Sequence, residues 1–328
     1  MNEPHELTLS IGVLAYNHEK YIATALDSIL MQQVNFDYEI IVGDDFSTDR
    51  TREILLEYKA RFPDKIKLIL HNRNLCMNGN ANSVRFACRG KYMAFLDGDN
   101  YWTDPLKLQK QVDFLESHPE FIGHAHKIEV VDAEGKPSKE RYYAYHCPDS
   151  IFTLAHAEKG MLPGQSGTYL FRNIFLNFTD YQKDVYCNCD SVGDSKLVLC
   201  LSINGNIYCS DEVMSAFRFV TDGNSFSSKS YNENLSLEYC HWVKERIRLA
   251  RECFDVEVSY HDMLLDIGYH AFVAVLRQPS VKNCIIFKNT LQFQKNKGQL
   301  FWHIVKKCLQ FPVRYLRRTI KNSSNKGI

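Results

Sequence analysis

Residues 92–105 read YMAFLDGDNYWTDP. The apolar run Tyr92–Leu96 predicts a buried strand, and it ends at once in Asp97-Gly98-Asp99. Two carboxylates one residue apart at a strand end point to the same side. They can share one hard divalent cation and leave its other positions to phosphate oxygens and water. A diphosphate leaving group needs such a cation to take up its developing charge. On its own the tripeptide also reads as a solvated turn. Beyond it, Asp104 and Pro105 supply an N-cap and a first residue for a helix to Ser117.

Working back toward the N-terminus, the same strand–polar end–helix pattern repeats. Leu7–Ala15 reads as a buried strand followed by Tyr16-Asn17, and Tyr21–Gln33 carries apolar residues at helical spacing. Tyr38–Gly43 is a second strand, ending in Asp44-Asp45; Ser47, Thr48 and Asp49 offer caps for a helix that Pro63 stops. Ile66–Leu70 predicts a third strand, Asn78–Cys88 a short helix and Phe121–Val131 a further strand. Strands alternating with helices of this length imply a mainly parallel central sheet flanked by helices. Such sheets bind ligands at the carboxyl ends of their strands. Three of those ends here are polar. Asp44 or Asp45 can accept from a nucleobase N–H or a ribose, with helix capping the alternative, and Tyr16 can stack on a base or simply pack.

Toward the C-terminus, 132–165 is irregular, Gly193–Asn204 predicts a helix, and Ile207–Cys209 and Met214–Phe219 predict two strands. Residues 221–230 are rich in Gly and Ser, and the chain is helical in character from about Ser236 onward. The chain of 328 residues is 45% hydrophobic and 24% charged, which excludes disorder over most of its length. No apolar run reaches the roughly 18–20 residues that span a bilayer. The polar, acidic stretch Met1–Glu6 does not read as a secretory signal. Eleven scattered cysteines without a C-x-x-C pair fit a reducing, cytoplasmic compartment; Cys187-Asn188-Cys189 is open to a redox or metal-binding reading.

The formal net charge is zero, so nothing global favours nucleic acid. The charge is nonetheless uneven. Residues 267–328 hold twelve Lys and Arg with no Asp or Glu, while residues 1–266 hold 27 basic and 39 acidic, a net of −12. The basic tail interleaves Phe287, Leu291, Phe293, Phe301, Trp302 and Tyr315 with its cations. A helix of this kind can lie in the headgroup layer of an anionic membrane, or pack on the protein with a solvated basic face.

Five motifs in order carry a resemblance: Val13-Leu14-Ala15-Tyr16-Asn17, Asp44-Asp45-Phe46-Ser47-Thr48-Asp49, Asn72-Arg73-Asn74 with Asn82, Ala87-Cys88-Arg89-Gly90-Lys91-Tyr92, and Phe95 to Leu108 around Asp97 and Asp99. On them, residues 8–120 resemble the amino-terminal half of family 2 glycosyltransferases with the GT-A fold. The resemblance implies Mg or Mn on Asp97 and Asp99, bridging the diphosphate of a nucleotide sugar, with Asp97 also in the nucleotide site. It places Tyr16, Asn17, Asp44, Asp45, Arg73 and Asn82 around the nucleotide.

A weaker resemblance runs through residues 164–218. Gly164-Gln165-Ser166-Gly167-Thr168 is similar to the acceptor segment. Val192-Gly193-Asp194-Ser195 is similar to the acidic motif that supplies the catalytic base, with Asp190 as rival. A carboxylate at a helix N-terminus stays ionised beside the dipole and the free N–H groups, and one base with direct displacement implies inversion. The chain departs from the family at Ala15 for Pro, at Asn100 for a third carboxylate, and at Val220-Thr221, where some relatives place a His.

The expectation is an inverting glycosyltransferase of surface polysaccharide biosynthesis, cytoplasmic and peripheral at the inner face of the cell membrane. Its partners would be a nucleotide sugar, a glycan or lipid-linked acceptor and an anionic membrane surface. The expected organisation is a GT-A domain over 1–232, with a nucleotide-binding half (1–131) and an acceptor-binding half (132–232). A helical basic extension follows over 233–328. A nucleotide-sugar binding module without turnover and a nucleotidyltransferase are the alternatives. The latter lacks a Gly-rich loop after the first strand, and Tyr16-Asn17-His18 stands where a dinucleotide fold has Gly-x-Gly-x-x-Gly.

Overall fold

A computed structural model describes residues 7–138, 147, 149–219 and 233–308. The first half alternates as its pattern requires: β1 (Leu9–Ala15), α1 (Ile22–Leu30), β2 (Tyr38–Asp44), α2 (Thr51–Arg61), β3 (Ile66–Leu70), α3 (Cys76–Ala87) and β4 (Tyr92–Asp97). β3, β2, β1 and β4 lie side by side, all parallel. Both faces of this block are covered, which is why β1 and β4 are nearly continuous apolar runs. Ile22, Ala25, Leu26 and Ile29 of α1 are fully buried in the core formed with β1, β2 and β4.

Beyond β4 the sheet is mixed. After β5 (Tyr101–Trp102), α4 (Lys107–Ser117), β6 (Phe121–Val131), β7 (Ile151–Phe152) and α5 (Leu154–Glu158), β8 (Leu170–Arg172) inserts antiparallel between β4 and β6. Then follow α6 (Asp180–Cys187), α7 (Gly193–Asn204) and β9 (Asn206–Arg218). The two strands expected near 207–219 are one: β9 runs parallel to β6 with irregular register, and exposed Asp211, Glu212 and Val213 are absorbed where Ala125 pairs Cys209 and Lys127 pairs Val213. α4 begins at Lys107, later than the expected Asp104-Pro105 start, because Asp104 Oδ1 accepts from Leu106 N (2.8 Å) in a turn that precedes the helix. Residues 220–232, with Val220-Thr221 and the Gly/Ser-rich stretch, lie outside the described residues.

Two compact units divide the chain: Met1–Ser228 with Glu245–Val258, and Lys229–Lys244 with Ser259–Ile328. α8 (Ser236–Phe254) is shared between them, so segment 245–258 returns to the first unit although the sequence suggested a single cut after 232. In the second unit, α9 (His261–Arg277), α10 (Val281–Thr290) and a helix over 297–308 pack together. Leu300 is buried against Gly268, where a Cβ would come within 2.8 Å of Leu300 Cδ1. Asp266 pairs with His303 and with Lys307, each at 2.8 Å. The basic stretch is therefore packed within its own unit as far as 308, while Phe301 and Trp302 remain exposed. Residues 309–328, including Pro312, lie outside the described residues. Among the described residues no helix is long and apolar enough to cross a membrane.

One buried polar junction ties the parallel block together. Ser10 Oγ donates to Glu39 Oε1 (2.6 Å) and accepts from Arg89 N (3.0 Å) and Gly90 N (2.8 Å), and Lys67 Nζ reaches Glu39 Oε2 at 2.6 Å. Burial opposes the Glu39 charge, but these donors hold its carboxyl below the usual range. The close approach requires glycine at 90, where a Cβ would meet Ser10 N at 2.5 Å and Leu9 C at 2.6 Å, both backbone atoms that cannot yield. Gly90→Ala is expected to cost about 1–3 kcal/mol, seen as a lower urea midpoint without a change in slope.

Candidate active site

The loops after β1 and β2 are locked to each other. Asn17 Oδ1 accepts from Thr48 N (2.8 Å), Ser47 Oγ accepts from Asn17 N (3.0 Å), and Thr51 Oγ1 accepts from His18 N (2.7 Å). Ser47 thus bridges the loops instead of capping α2. Asn17 and Phe46 hold positive φ of 55° and 65°, a costly geometry for such residues that persists where the surroundings over-determine it.

The loops' own bonds also reach the two acidic residues, both buried, using both oxygens of Asp44 but only one of Asp45. Asp44 is fully buried, with Oδ2 2.6 Å from Arg52 Nε and Oδ1 accepting from Ser47 N (3.3 Å). Asp45 Oδ1 accepts from Leu75 N (2.6 Å). Sequence reasoning missed Arg52, whose place in the first turn of α2, eight residues beyond Asp44, gave no sign that it turns back onto that carboxylate. Tyr16 (45% exposed) and Phe46 (43% exposed) present aromatic faces at this strand edge, and Arg73 is also exposed. Asn82 is buried in α3, its Oδ1 accepting from Arg85 Nη1 (3.0 Å).

Asp97 and Asp99 stand half-buried at the end of β4. Gly98 N donates to Leu14 O (2.8 Å), and a Cβ at 98 would meet His18 Nδ1 at 2.7 Å, so only glycine lets the turn sit this close to β1. Ser166 Oγ donates to Asp97 Oδ2 (3.1 Å), and Gln165 Nε2 lies 3.5 Å from the same oxygen. Residues 165 and 166, expected to meet the acceptor, therefore hold the first carboxylate of the pair. Behind Asp99, Arg218 Nε donates to Asp99 O (3.0 Å), and its Nη1 to Asp132 O (3.0 Å) and Ala133 O (2.7 Å). Asn100, which stands in place of a third carboxylate, is buried and its Oδ1 accepts from Arg218 N (2.8 Å).

Asp194 sits half-buried in the first turn of α7. The turn before α7 is tied to α3 through Asn78 Nδ2, which donates to Ser191 O (2.9 Å). Burial, with Arg85 opposing it, pushes the Asp194 carboxyl up to about 6, so the helix terminus does not hold it at an ordinary value. That value suits a general base near neutral pH. Asp190, the rival, is exposed on the preceding turn. Burial pushes the thiols of Cys187 and, to about 11, Cys189 upward, the opposite of what a redox pair or thiolate ligands require.

Burial, then the charges of Asp99 and Asp194, push Asp97 up to about 7 against the hydrogen bonds from Ser166 and Gln165. The fold has thus assembled hard oxygen donors with excess negative charge, a donor set that fits Mg or Mn. Among the described residues no three His, Cys, Asp or Glu converge on one point, so further ligands would come from the diphosphate and water. With Asp97 raised above its unfolded value of about 3.9, the native state takes up a proton before the unfolded one does, and stability falls as pH rises from about 4 to about 7. Asp97→Asn in EDTA is accordingly expected to melt about 2 °C or more above the native sequence at pH 8. The difference should shrink as pH falls and vanish below about pH 3, where the aspartate is protonated in both states.

The sequence profile described as glycosyl transferase family 2 matches residues 10–176. The uncharacterized protein Rv1520 of Mycobacterium tuberculosis is 43% identical over 132 residues, 40% of this chain and 38% of that protein. The Escherichia coli UDP-Glc:alpha-D-GlcNAc-diphosphoundecaprenol beta-1,3-glucosyltransferase WfaP is 33% identical over 119 residues, 36% of this chain and 45% of WfaP. The match thus spans less than half the length of these curated relatives. In fold, the chain is similar to residues 1–349 of Staphylococcus aureus TarS, crystallised with UDP-GlcNAc, at a TM-score of 0.61 and 18% identity over 91% of this chain and 82% of that one. With more than half its residues under the family profile and a GT-A sheet in place, the chain belongs to glycosyl transferase family 2.

Proposed function

We propose that this chain transfers one sugar from a nucleotide-diphosphate sugar to a hydroxyl of a surface glycan or lipid-linked acceptor, with inversion at the anomeric carbon. The observation that carries the reading is the pair Asp97 and Asp99 at the end of β4, where burial first, then the charges of Asp99 and Asp194, push Asp97 up to about 7. Mg or Mn, held by Asp97 and Asp99, would neutralise the charge of the departing nucleoside diphosphate. Asp194 takes the proton of the acceptor hydroxyl as its oxygen bonds the anomeric carbon and the sugar–phosphate bond breaks. Tyr16, Asp45 and Arg73 receive the nucleotide, while Asn17, Asp44 and Asn82 act from behind by holding the loops and α3 that carry them. Residues 1–131 then form the donor half and 132–232 the acceptor half. The UDP-GlcNAc complex of TarS and the UDP-glucose in the name of WfaP support a nucleotide-sugar donor. The diphosphoundecaprenol in the latter name supports a lipid-linked acceptor.

The second unit supports a peripheral place at the inner, cytoplasmic face of the membrane. Phe301 (60% exposed) and Trp302 (69% exposed) stand out from the helix over 297–308, which also carries the exposed Lys306, in a stretch with no acidic residue after Asp266. Basic residues near an anionic surface contribute about 1 kcal/mol each. Phe301→Ala with Trp302→Ala is expected to lower pelleting with phosphatidylglycerol vesicles; equal binding by the unaltered chain and the variant would remove the membrane from the proposal.

Thermal shift against UDP, GDP, CDP and dTDP and their sugars, with and without MnCl2, identifies the donor. Asp99→Ala should abolish both the Mn-dependent shift and donor hydrolysis. Asp194→Asn should keep the shift and lose about 100-fold or more in turnover. The rate of the unaltered enzyme should fall as pH drops through about 6, the Asp194 value. Binding without any hydrolysis or transfer would make the chain a binding module.

A further inference from the structure

Beneath Asp97 lies a buried polar assembly that the proposed chemistry does not use. Lys107 and Gln111, one turn apart on α4, are both 0% exposed. Lys107 Nζ donates to Gln111 Oε1 (2.7 Å) and stands 4.2 Å over the Trp102 ring. The bond from Lys107 fixes which way the Gln111 amide faces. Its Nε2 then donates to Thr168 O (3.0 Å) and His124 O (3.1 Å). Trp102 Nε1 donates to the neighbouring carbonyl, Gly167 O, at 2.9 Å. Successive carbonyls of the 165–168 segment are therefore gripped from below. Within the segment, Thr168 Oγ1 donates to Gln165 O (2.7 Å), Gln165 Oε1 accepts from Gly167 N (2.7 Å), and Ser166 Oγ is delivered to Asp97.

Such an arrangement is costly. Burial drives the Lys107 ammonium down to about 7, with Asp104 only partly opposing, and no carboxylate bonds to it among the described residues. His124 and His126, on the same face of β6, are kept neutral by burial and then by the Lys107 charge. A hydrophobic residue in place of a buried, unpaired cation is commonly neutral or stabilising. Stability alone does not account for a lysine here.

We propose that Lys107 and Gln111 are positioning residues for the donor site: they hold segment 165–168 so that Ser166 and Gln165 orient Asp97 to receive the cation. The inference rests on Asp97 being a metal ligand, as proposed above. Groups that orient metal ligands commonly change metal affinity about 10- to 100-fold when removed. The test is a double-mutant cycle, Lys107→Met, Ser166→Ala and the two together, read as the affinity for MnCl2 in the presence of whichever of UDP, GDP, CDP or dTDP binds, by calorimetry. Each single change should weaken Mn binding about 10-fold, and the double change no more than the worse single, because both act through one bond. Gln111→Glu is nearly isosteric and keeps an acceptor for Lys107 but loses both N–H donors, so it should weaken Mn binding similarly; it keeps the test alive if Lys107→Met fails to fold. Lower melting temperatures with unchanged Mn affinity, or additive losses in the cycle, overturn the proposal. Absence of Mn binding to the unaltered chain overturns the metal reading as well, which separates that failure from this one.

Discussion

The burial of the Asp97 carboxylate beside the charges of Asp99 and Asp194 is the constraint around which the first unit is organised. An ionised Asp97 is unfavourable in the metal-free protein, first through desolvation and then through its acidic neighbours, which together push it up to about 7. Only a scaffold that over-determines their positions keeps them together. Gly98 seats the turn against β1, Ser166 and Gln165 hold Asp97, Arg218 holds the backbone of Asp99, and Asn78 anchors the loop before α7. Each holds from a different element, so the geometry survives although the charges oppose it. Under the proposed function, a site so held would be prepared for a cation and a diphosphate, since positioning costs are met in folding and not at the moment of binding.

Two sorts of polar burial serve that scaffold. Near the start of β1, the Ser10–Glu39–Lys67 junction ties strands to the turn before β4 and is well matched, with Glu39 held below its usual range. At the other ends of the strands, the matched pair is Asp44 with Arg52, which closes the loop after β2 onto α2. The Lys107–Gln111 assembly differs, because its ammonium finds an amide and an aromatic face in place of a carboxylate. The first kind stabilises the sheet and the second shapes the ground on which Asp97 rests.

Much of the fold was legible because its signals are local. β1 to β4 are apolar runs ended by polar residues, α1 has its apolar positions at helical spacing, and the bounds read for β6 and α7 coincide with Phe121–Val131 and Gly193–Asn204. Less legible were features decided by partners. β8 is three residues long and takes its place from β4 and β6 on either side. β9 is continuous because β6 pairs with it across the polar interruption at 211–213. A charge on a helix reads as solvated, yet Lys107 is enclosed and Arg52 faces back into a loop.

The sequence by itself determined the alternation of strands and helices, the polar ends that lie on one edge of the parallel block, and the chemical kind of each candidate residue. These follow from hydrophobic periodicity and from side-chain identity, which need no partner. Tertiary structure alone decided which acids gather at the end of β4 and which are drawn into loop closure, as Asp44 is by Arg52. It also decided that Asp194 titrates near 6 and Asp97 near 7. Desolvation and Coulomb interaction depend on distances between groups far apart along the chain, and those distances exist only once the chain has folded.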